Sequence, residues 1–299
     1  MDVAPRLGFV GFGEAAPAVA AGLAEAGLGG MLAYDIAFDP ADDGAPAAER
    51  FRAKAAASGT RLVAAPAELA AGAALLFSFV TCSEAVAAAR ALTPHLGPGH
   101  LYVDFNSASP AAKREVAGLV EGAGARFVEA AVMAVIPPNR QRAPTFVCGA
   151  AAAELRDLMG PFGMRLEVLG DTIGAASAAK MFRSIVVKGL QGLFIECLLA
   201  ARRYGVEERV LASVTESFPG LDWNDLAHYL TGRSAIHAVR QAHEMDEVAE
   251  TLAAIGEAPV MARATAERLR RLGELDLART FEGRVPADYR EVLRAIGER

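Results

Sequence analysis

Short apolar runs alternate with alanine-rich stretches of helical period through the first half of the chain. Leu7–Val10 reads as a strand running straight into Gly11-Phe12-Gly13. Ala15–Ala26 reads as the helix that follows, with Gly27 where a left-handed C-terminal cap belongs. Met31–Tyr34 is a second strand, ending at Asp35, and Arg61–Ala64, Ala74–Val80 and Leu101–Val103 continue the series. Helices are predicted between them at Ala47–Ser58, Ser83–Leu92 and Pro110–Gly122. Strand and helix in alternation predict an α/β fold with a doubly wound parallel sheet. Arg126–Val132, Thr145–Val147 and Arg165–Leu169 extend that sheet, with a short helix at Ala151–Met159.

After Gly170 the pattern changes. Ala175–Tyr204 runs without proline in helical composition, and Glu207–Ser217, Trp223–Leu230, Ala235–Ala254 and Pro259–Leu272 read as further helices. No strand-like segment interrupts them. The expected division is therefore residues 1–170 as the mixed domain and 171–299 as an all-helical one.

Composition adds limits to this picture. A chain of 299 residues suits two domains. Thirty Lys and Arg against 36 Asp and Glu leave a net charge of −6, which argues against a nucleic-acid partner. The longest apolar stretch, Leu69–Val80, falls short of the roughly 20 residues that span a bilayer. No signal segment is visible, so no membrane association is expected. Cys82, Cys148 and Cys197 form no CxxC and suit a reducing cytoplasm. The scattered cysteines, and histidines such as His228 and His243, offer no ligand spacing, so no metal site is expected.

Gly11-Phe12-Gly13-Glu14-Ala15-Ala16 fits G-x-G-x-x-A between the first strand and the first helix, and Asp35 ends the second strand. Gly11 would permit the tight turn, Gly13 the close approach of a pyrophosphate, and Ala16 the packing of helix on sheet. Asp35 suits the two ribose hydroxyls of an adenosine and repels a 2′-phosphate. The expected cofactor is NAD, with NADP the alternative if Arg50 or Arg52 turns back toward it. The fold class becomes a Rossmann-type sheet followed by a helical domain.

The helix from Ala175 carries a polar stripe. Lys180, Gln191, Ser184 and Lys188 fall at about 0°, 20°, 40° and 80° on a helical wheel. Either this is a solvated face, or it lines the cleft after the cofactor domain, where small ligands bind. A lysine in such a cleft sheds hydration and suits proton transfer near neutral pH.

With these segments in place the chain resembles the β-hydroxyacid dehydrogenase superfamily, which includes 3-hydroxyisobutyrate and 6-phosphogluconate dehydrogenases. Gly8-Phe9-Val10-Gly11-Phe12-Gly13 resembles its opening strand and turn, and Gly174 to Ser184 its catalytic helix motif G-x-G-x-x-x-K-x-x-x-N. The resemblance implies that Lys180 is the catalytic acid/base, with Ser184 in place of the usual asparagine. It implies a cofactor lining of Gly11, Phe12, Gly13, Glu14, Ala15, Asp35, Val80, Thr81 and Asn106. Asp104-Phe105-Asn106-Ser107 matches the D-x-S-T turn, so Asn106 and Ser107, with Met133 and Lys188, are the implied substrate contacts. Glu129 to Val135 departs from D-x-P-V-S-G-G: Met133 replaces the serine, and Ala134-Val135 the glycine pair. Arg140 or Arg142 then either serves a substrate carboxylate or is a surface charge; Arg233, His237 and Arg240, one helical turn apart, pose the same choice. The C-terminal half resembles a branch whose helical domain has no known function.

The expected activity is an NAD(P)-dependent oxidoreductase moving a hydride between nicotinamide and a small hydroxy acid or related polar alcohol. The alternatives are an imine reductase on the same scaffold and a non-catalytic, NAD-responsive binding protein. The expected partners are a small-molecule substrate and a second copy, docked through the helical domain as a homodimer.

Overall fold

A computed structural model describes residues 5–41 and 46–297. It divides into two compact units, Met1–Lys180 and Met181–Arg299. The first holds strands β1 (Leu7–Val10), β2 (Leu32–Tyr34), β3 (Arg61–Leu62), β4 (Leu75–Ser78), β5 (Leu101–Asp104), β6 (Arg126–Val132), β7 (Thr145–Cys148) and β8 (Leu166–Gly170). Around them run helices α1 (Ala15–Glu25), α2 (Pro46–Ala56), α3 (Pro66–Gly72), α4 (Ala85–Leu92), α5 (Pro110–Gly122), α6 (Ile136–Asn139) and α7 (Ala152–Met159).

The sheet order is β3-β2-β1-β4-β5-β6-β7-β8. Alternate residues of each strand face opposite sides, as the two-residue period of a strand requires. Leu7, Phe9, Phe77 and Val103 join one core; Val10, Leu76, Tyr102 and Phe127 join the other. Strands β2 and β3 extend the sheet on one side of β1, and the chain then crosses back to place β4 on its other side, the switch point where open α/β sheets bind ligands. Two strands depart from the parallel expectation: β7 is antiparallel to β6, and β8 runs parallel to β7. The connection from β6 to β7 carries only the four-residue α6 and a 3-10 turn, with no helix long enough to cross the sheet.

The second unit is helical. Helix α8 (Ala175–Arg202) starts in the first unit and continues into this one, followed by α9 (Glu207–Ser217), α10 (Trp223–Ala254), α11 (Val260–Gly273), α12 (Leu277–Thr280) and α13 (Tyr289–Gly297). The division thus falls after Lys180 instead of at Gly170. The reason is local packing: Ala175 and Ala176 lie against Ala131, Phe146 and Cys148 of the sheet.

The break expected between Leu230 and Ala235 does not occur, because α10 is continuous. Its Gly232 serves packing, since a Cβ there would stand 2.3 Å from the Pro286 carbonyl oxygen. Trp223 packs near Phe194 and Phe218, an anchor of the helical core. By length and composition α8 is apolar enough to cross a bilayer. Ile195 and Leu198 of this helix are buried within the helical unit, while Val186 and Leu193 are exposed.

Candidate active site

The glycine turn follows from contacts a larger residue would break. Gly11 has φ +83°, and a Cβ there would stand 2.6 Å from the Phe79 carbonyl oxygen and 2.7 Å from Val80 Cγ1. Glycine alone lets β1 turn beside the end of β4. At Gly13 a Cβ would meet nothing within 4 Å, so this glycine leaves open space over the turn. Helix α1 starts just beyond, with exposed Glu14 at its N-cap and no side-chain cap, while Ala16 is fully buried. The Glu14 side chain makes no capping hydrogen bond, and a helix start of this kind suits an anion.

Phe12 contributes only its backbone to this turn. Its side chain is in the core near Phe9, and its N–H donates to Asp35 Oδ2 at 2.7 Å. The Ala37 N–H donates to Oδ1 at 2.9 Å, so the carboxylate is fixed between the end of β2 and the glycine turn. An open cradle at Gly13, an uncapped helix start and a tethered acid together fit the adenosine and pyrophosphate of an NAD-type dinucleotide.

A cation is also present here. Lys54 Nζ of α2 donates to the Gly13 carbonyl oxygen at 2.7 Å. Of Arg50 and Arg52, the arginines the sequence offers for a 2′-phosphate, Arg52 lines a groove with Phe38, Thr60, Arg61 and Glu68, none of them from the glycine turn. Nothing in the local pattern marks Lys54, because only the tertiary fold brings α2 to the turn.

At the ends of β4 and β5, Asn106 is buried and hydrogen-bonded at both ends of its amide. Its Oδ1 accepts the Val80 N–H at 2.6 Å and its Nδ2 donates to Ser78 Oγ at 3.0 Å. It therefore shapes the Val80 loop, which is expected to line the cofactor. Thr81 is exposed on that loop and bonds Ser83.

Asp104 Oδ1 accepts the Asn106 N–H at 2.8 Å and pairs with buried Lys113 at 3.0 Å. Lys113 also donates to the Asp104 carbonyl oxygen at 2.8 Å. The neighbouring Tyr102 hydroxyl is pushed well above its ordinary range by burial first and the Asp104 charge second, with Ser78 opposing. A buried pair so tied makes the end of β5 rigid.

Ser107, exposed at the end of this turn, accepts a hydrogen bond from Lys180 Nζ at 2.9 Å. The sequence had singled out both residues, and the structure brings them together within the first unit. Sequence reasoning gave no role to Glu129. It is fully buried on β6, and its carboxylate accepts the Gly174 N–H at 2.5 Å and the Ser177 N–H at 2.6 Å. The signal was a single acid inside the otherwise apolar run Phe127 to Val132. Cys148 pairs with Glu129 across β6 and β7, and burial, then the Glu129 charge, pushes its thiol up.

Met133 is half-buried, with its N–H on the Pro144 carbonyl oxygen, and Ala134 and Val135 are exposed. Arg140 pairs with Glu25 at 2.5 Å, at the end of α1 opposite the glycine turn, and Arg142 packs near Gly163.

In the helical unit Lys188 pairs with Glu244 at 2.6 Å and donates to Ser184 Oγ at 3.0 Å, while Gln191 is buried. Gly189 and Gly192 face Thr265 and Arg268 of α11, where a Cβ would make only ordinary contacts, so neither glycine marks a close approach. Arg240 also pairs with Glu244, and Arg233 lies over the Tyr229 ring. Burial, then Arg240 and Arg233, pushes His237 below the ordinary imidazole range.

Residues 6–165 match the family described as the NAD binding domain of 6-phosphogluconate dehydrogenase. Residues 201–272 match a domain of unknown function, DUF1932. Among solved structures, a conserved hypothetical protein from Sinorhizobium meliloti 1021 is 36% identical over 99% of this chain and 97% of its own, with a TM-score of 0.84. A conserved protein of unknown function, described as structurally similar to 3-hydroxyacid dehydrogenases, is 31% identical over 90% of this chain and 97% of its own, with a TM-score of 0.76. A 3-hydroxyisobutyrate dehydrogenase from Mycobacterium tuberculosis, solved with L-serine, shares the fold at 18% identity over 98% of this chain and 99% of its own (TM-score 0.74).

Among curated sequences, an uncharacterized 28.5 kDa protein from Methanothermus fervidus is 26% identical over 58% of this chain and 66% of its own length. Human mitochondrial 3-hydroxyisobutyrate dehydrogenase is 25% identical over 73% of this chain and 63% of its own length. The chain thus spans just under two thirds of the length of these two relatives.

Proposed function

The chain belongs to the family built on the NAD binding domain of 6-phosphogluconate dehydrogenase, and from that premise we propose that it oxidises or reduces a small hydroxy acid or related polar alcohol with NAD(H). The observation that carries this reading is the hydrogen bond from Lys180 Nζ to Ser107 Oγ at 2.9 Å, at the end of β5 in the cofactor-binding unit. A bound nicotinamide supplies the two-electron chemistry. The chain's own groups handle the proton. Lys180 takes the proton of the substrate hydroxyl in oxidation and returns it in reduction. Ser107 holds the amine in reach and turns its own hydroxyl toward the substrate oxygen. Asn106 acts behind them, keeping the Val80 loop in place.

Preference for NAD(H) rests on Asp35, whose tethered carboxylate suits the ribose hydroxyls and opposes a 2′-phosphate; Lys54 supplies the counter-charge for the pyrophosphate. The exposed Val186 and Leu193 of α8 and Val239 of α10 support a homodimer through the helical unit. The test is a spectrophotometric panel of 3-hydroxy acids, polar alcohols and, in reverse, ketones and cyclic imines. Turnover of the hydroxy acids or polar alcohols and of their ketones supports the reading. Turnover of imines alone, or NADH binding without turnover of any member, overturns it.

A further inference from the structure

We propose that Glu129 is a positioning residue that fixes the first turn of α8, and through it Lys180, against the Ser107 turn. Its effect on catalysis rests on the function proposed above; the anchoring itself does not.

Burying an ionised carboxylate is unfavourable unless donors take up both oxygens. Glu129 is fully buried, and both its oxygens go to one short stretch of backbone, Gly174 at 2.5 Å and Ser177 at 2.6 Å. That three-residue spacing belongs to a helix start, where N–H groups lack partners within the helix and the dipole favours negative charge. Ser177 Oγ closes the same turn by donating to the Gly174 carbonyl oxygen at 3.1 Å. Lys180 follows one turn later on the same face.

A cap alone does not need this arrangement. Ser109 caps α5 and Asp222 caps α10 from the adjoining residue. Glu129 reaches α8 from a strand 45 residues earlier than Gly174, so it ties the helix to the sheet. The register of the sheet supplies the other half of the device, because Asp104 is paired directly with Glu129 across β5 and β6. Asp104 holds the N–H of Asn106, the residue before Ser107. The two ends of the Lys180–Ser107 hydrogen bond therefore hang from neighbouring acids on adjacent strands. A shift of about 1 Å at such a contact costs on the order of a hundredfold in rate.

The experiment uses full-length Glu129→Gln and Glu129→Asp. Three readouts are compared with wild type: amide hydrogen exchange over 174–184, acetic anhydride labelling of Lys180 relative to Lys54, and kcat, KM and NADH Kd. For Glu129→Gln, exchange in the first turn of α8 rises about tenfold as that turn opens locally, and labelling of Lys180 rises with it. Its kcat falls by about 10–100-fold, while KM and NADH Kd stay within about twofold. Glu129→Asp keeps the charge but is one methylene shorter, and falls between the two in every readout.

Wild-type exchange and labelling in Glu129→Gln overturn the proposal. Faster exchange with unchanged labelling and kcat also overturns it, because the carboxylate is then only a cap. If Glu129→Gln does not fold, a Glu129→Asp protein indistinguishable from wild type overturns it. If wild type turns over no substrate, the proposed function falls, and exchange with labelling still decides whether Glu129 positions Lys180.

Discussion

Lys180 and Lys188 stand eight residues apart on one helix and about 80° apart around it, yet their surroundings differ in kind. Lys180 meets a hydroxyl, Ser107, at the end of a strand braced by buried acids. Lys188 meets an acid, Glu244, and a hydroxyl of its own helix, Ser184. In the sheet unit, buried acids take up backbone donors on both sides of the Lys180–Ser107 contact. In the helical unit, polar groups neutralise one another. The stripe on the wheel is one feature of sequence and two of structure, since a wheel assigns faces and says nothing of what stands opposite.

The sharpest way to break this comparison is to remove each lysine in turn. Lys180→Ala is expected to lower kcat by about 10²–10⁴ with NADH Kd unchanged, whereas Lys188→Ala stays within about threefold of wild type. Comparable losses in the two variants would erase the distinction.

Next in size is the brace below the site. Lys113→Met leaves Asp104 as an uncompensated buried charge and is expected to cost about 3–5 kcal/mol in urea unfolding. A cost under about 1 kcal/mol would show that β5 does not depend on this pair.

The two glycines of the turn separate folding from binding. Gly11→Ala meets both a positive φ and the Phe79 carbonyl oxygen, and is expected to lose about 1–3 kcal/mol of stability. Gly13→Ala leaves stability within about 0.5 kcal/mol and weakens NADH binding about tenfold, read by fluorescence titration. Equal effects of the two on stability would contradict the open cradle.

Smaller again, Asp35→Asn is expected to shift the ratio of NAD(H) to NADP(H) affinity toward NADP(H) by about tenfold. At the low end, Lys188→Met is expected to cost about 1 kcal/mol, the scale of a partly exposed ion pair.

Most strands and helices were legible because each follows a local rule. Leu7–Val10, Arg126–Val132 and Pro110–Gly122 occupy the residues expected from their apolar period and flanking breakers. Gly27, with φ +94°, caps α1 as its place in the sequence suggested. What was not legible depended on distant partners. Gly232 reads as a helix breaker until Pro286 is seen against it, and β7 reads as one more parallel strand until its short connection is seen.

The site divides the same way. Gly11, Asp35, Ser107 and Lys180 carry their chemistry in local motifs. Lys54, Lys113 and Glu129 act through contacts 41, 9 and 45 residues away. Of these only Glu129 left a trace in the sequence, as an acid in an apolar strand.

The central claim is that the Lys180 amine carries the proton. It is tested most directly by turnover of Lys180→Ala with and without a small primary amine such as methylammonium. The account predicts a variant slowed by about 10²–10⁴, with rate recovered in proportion to added amine. A variant that turns over as fast as wild type without amine would contradict it.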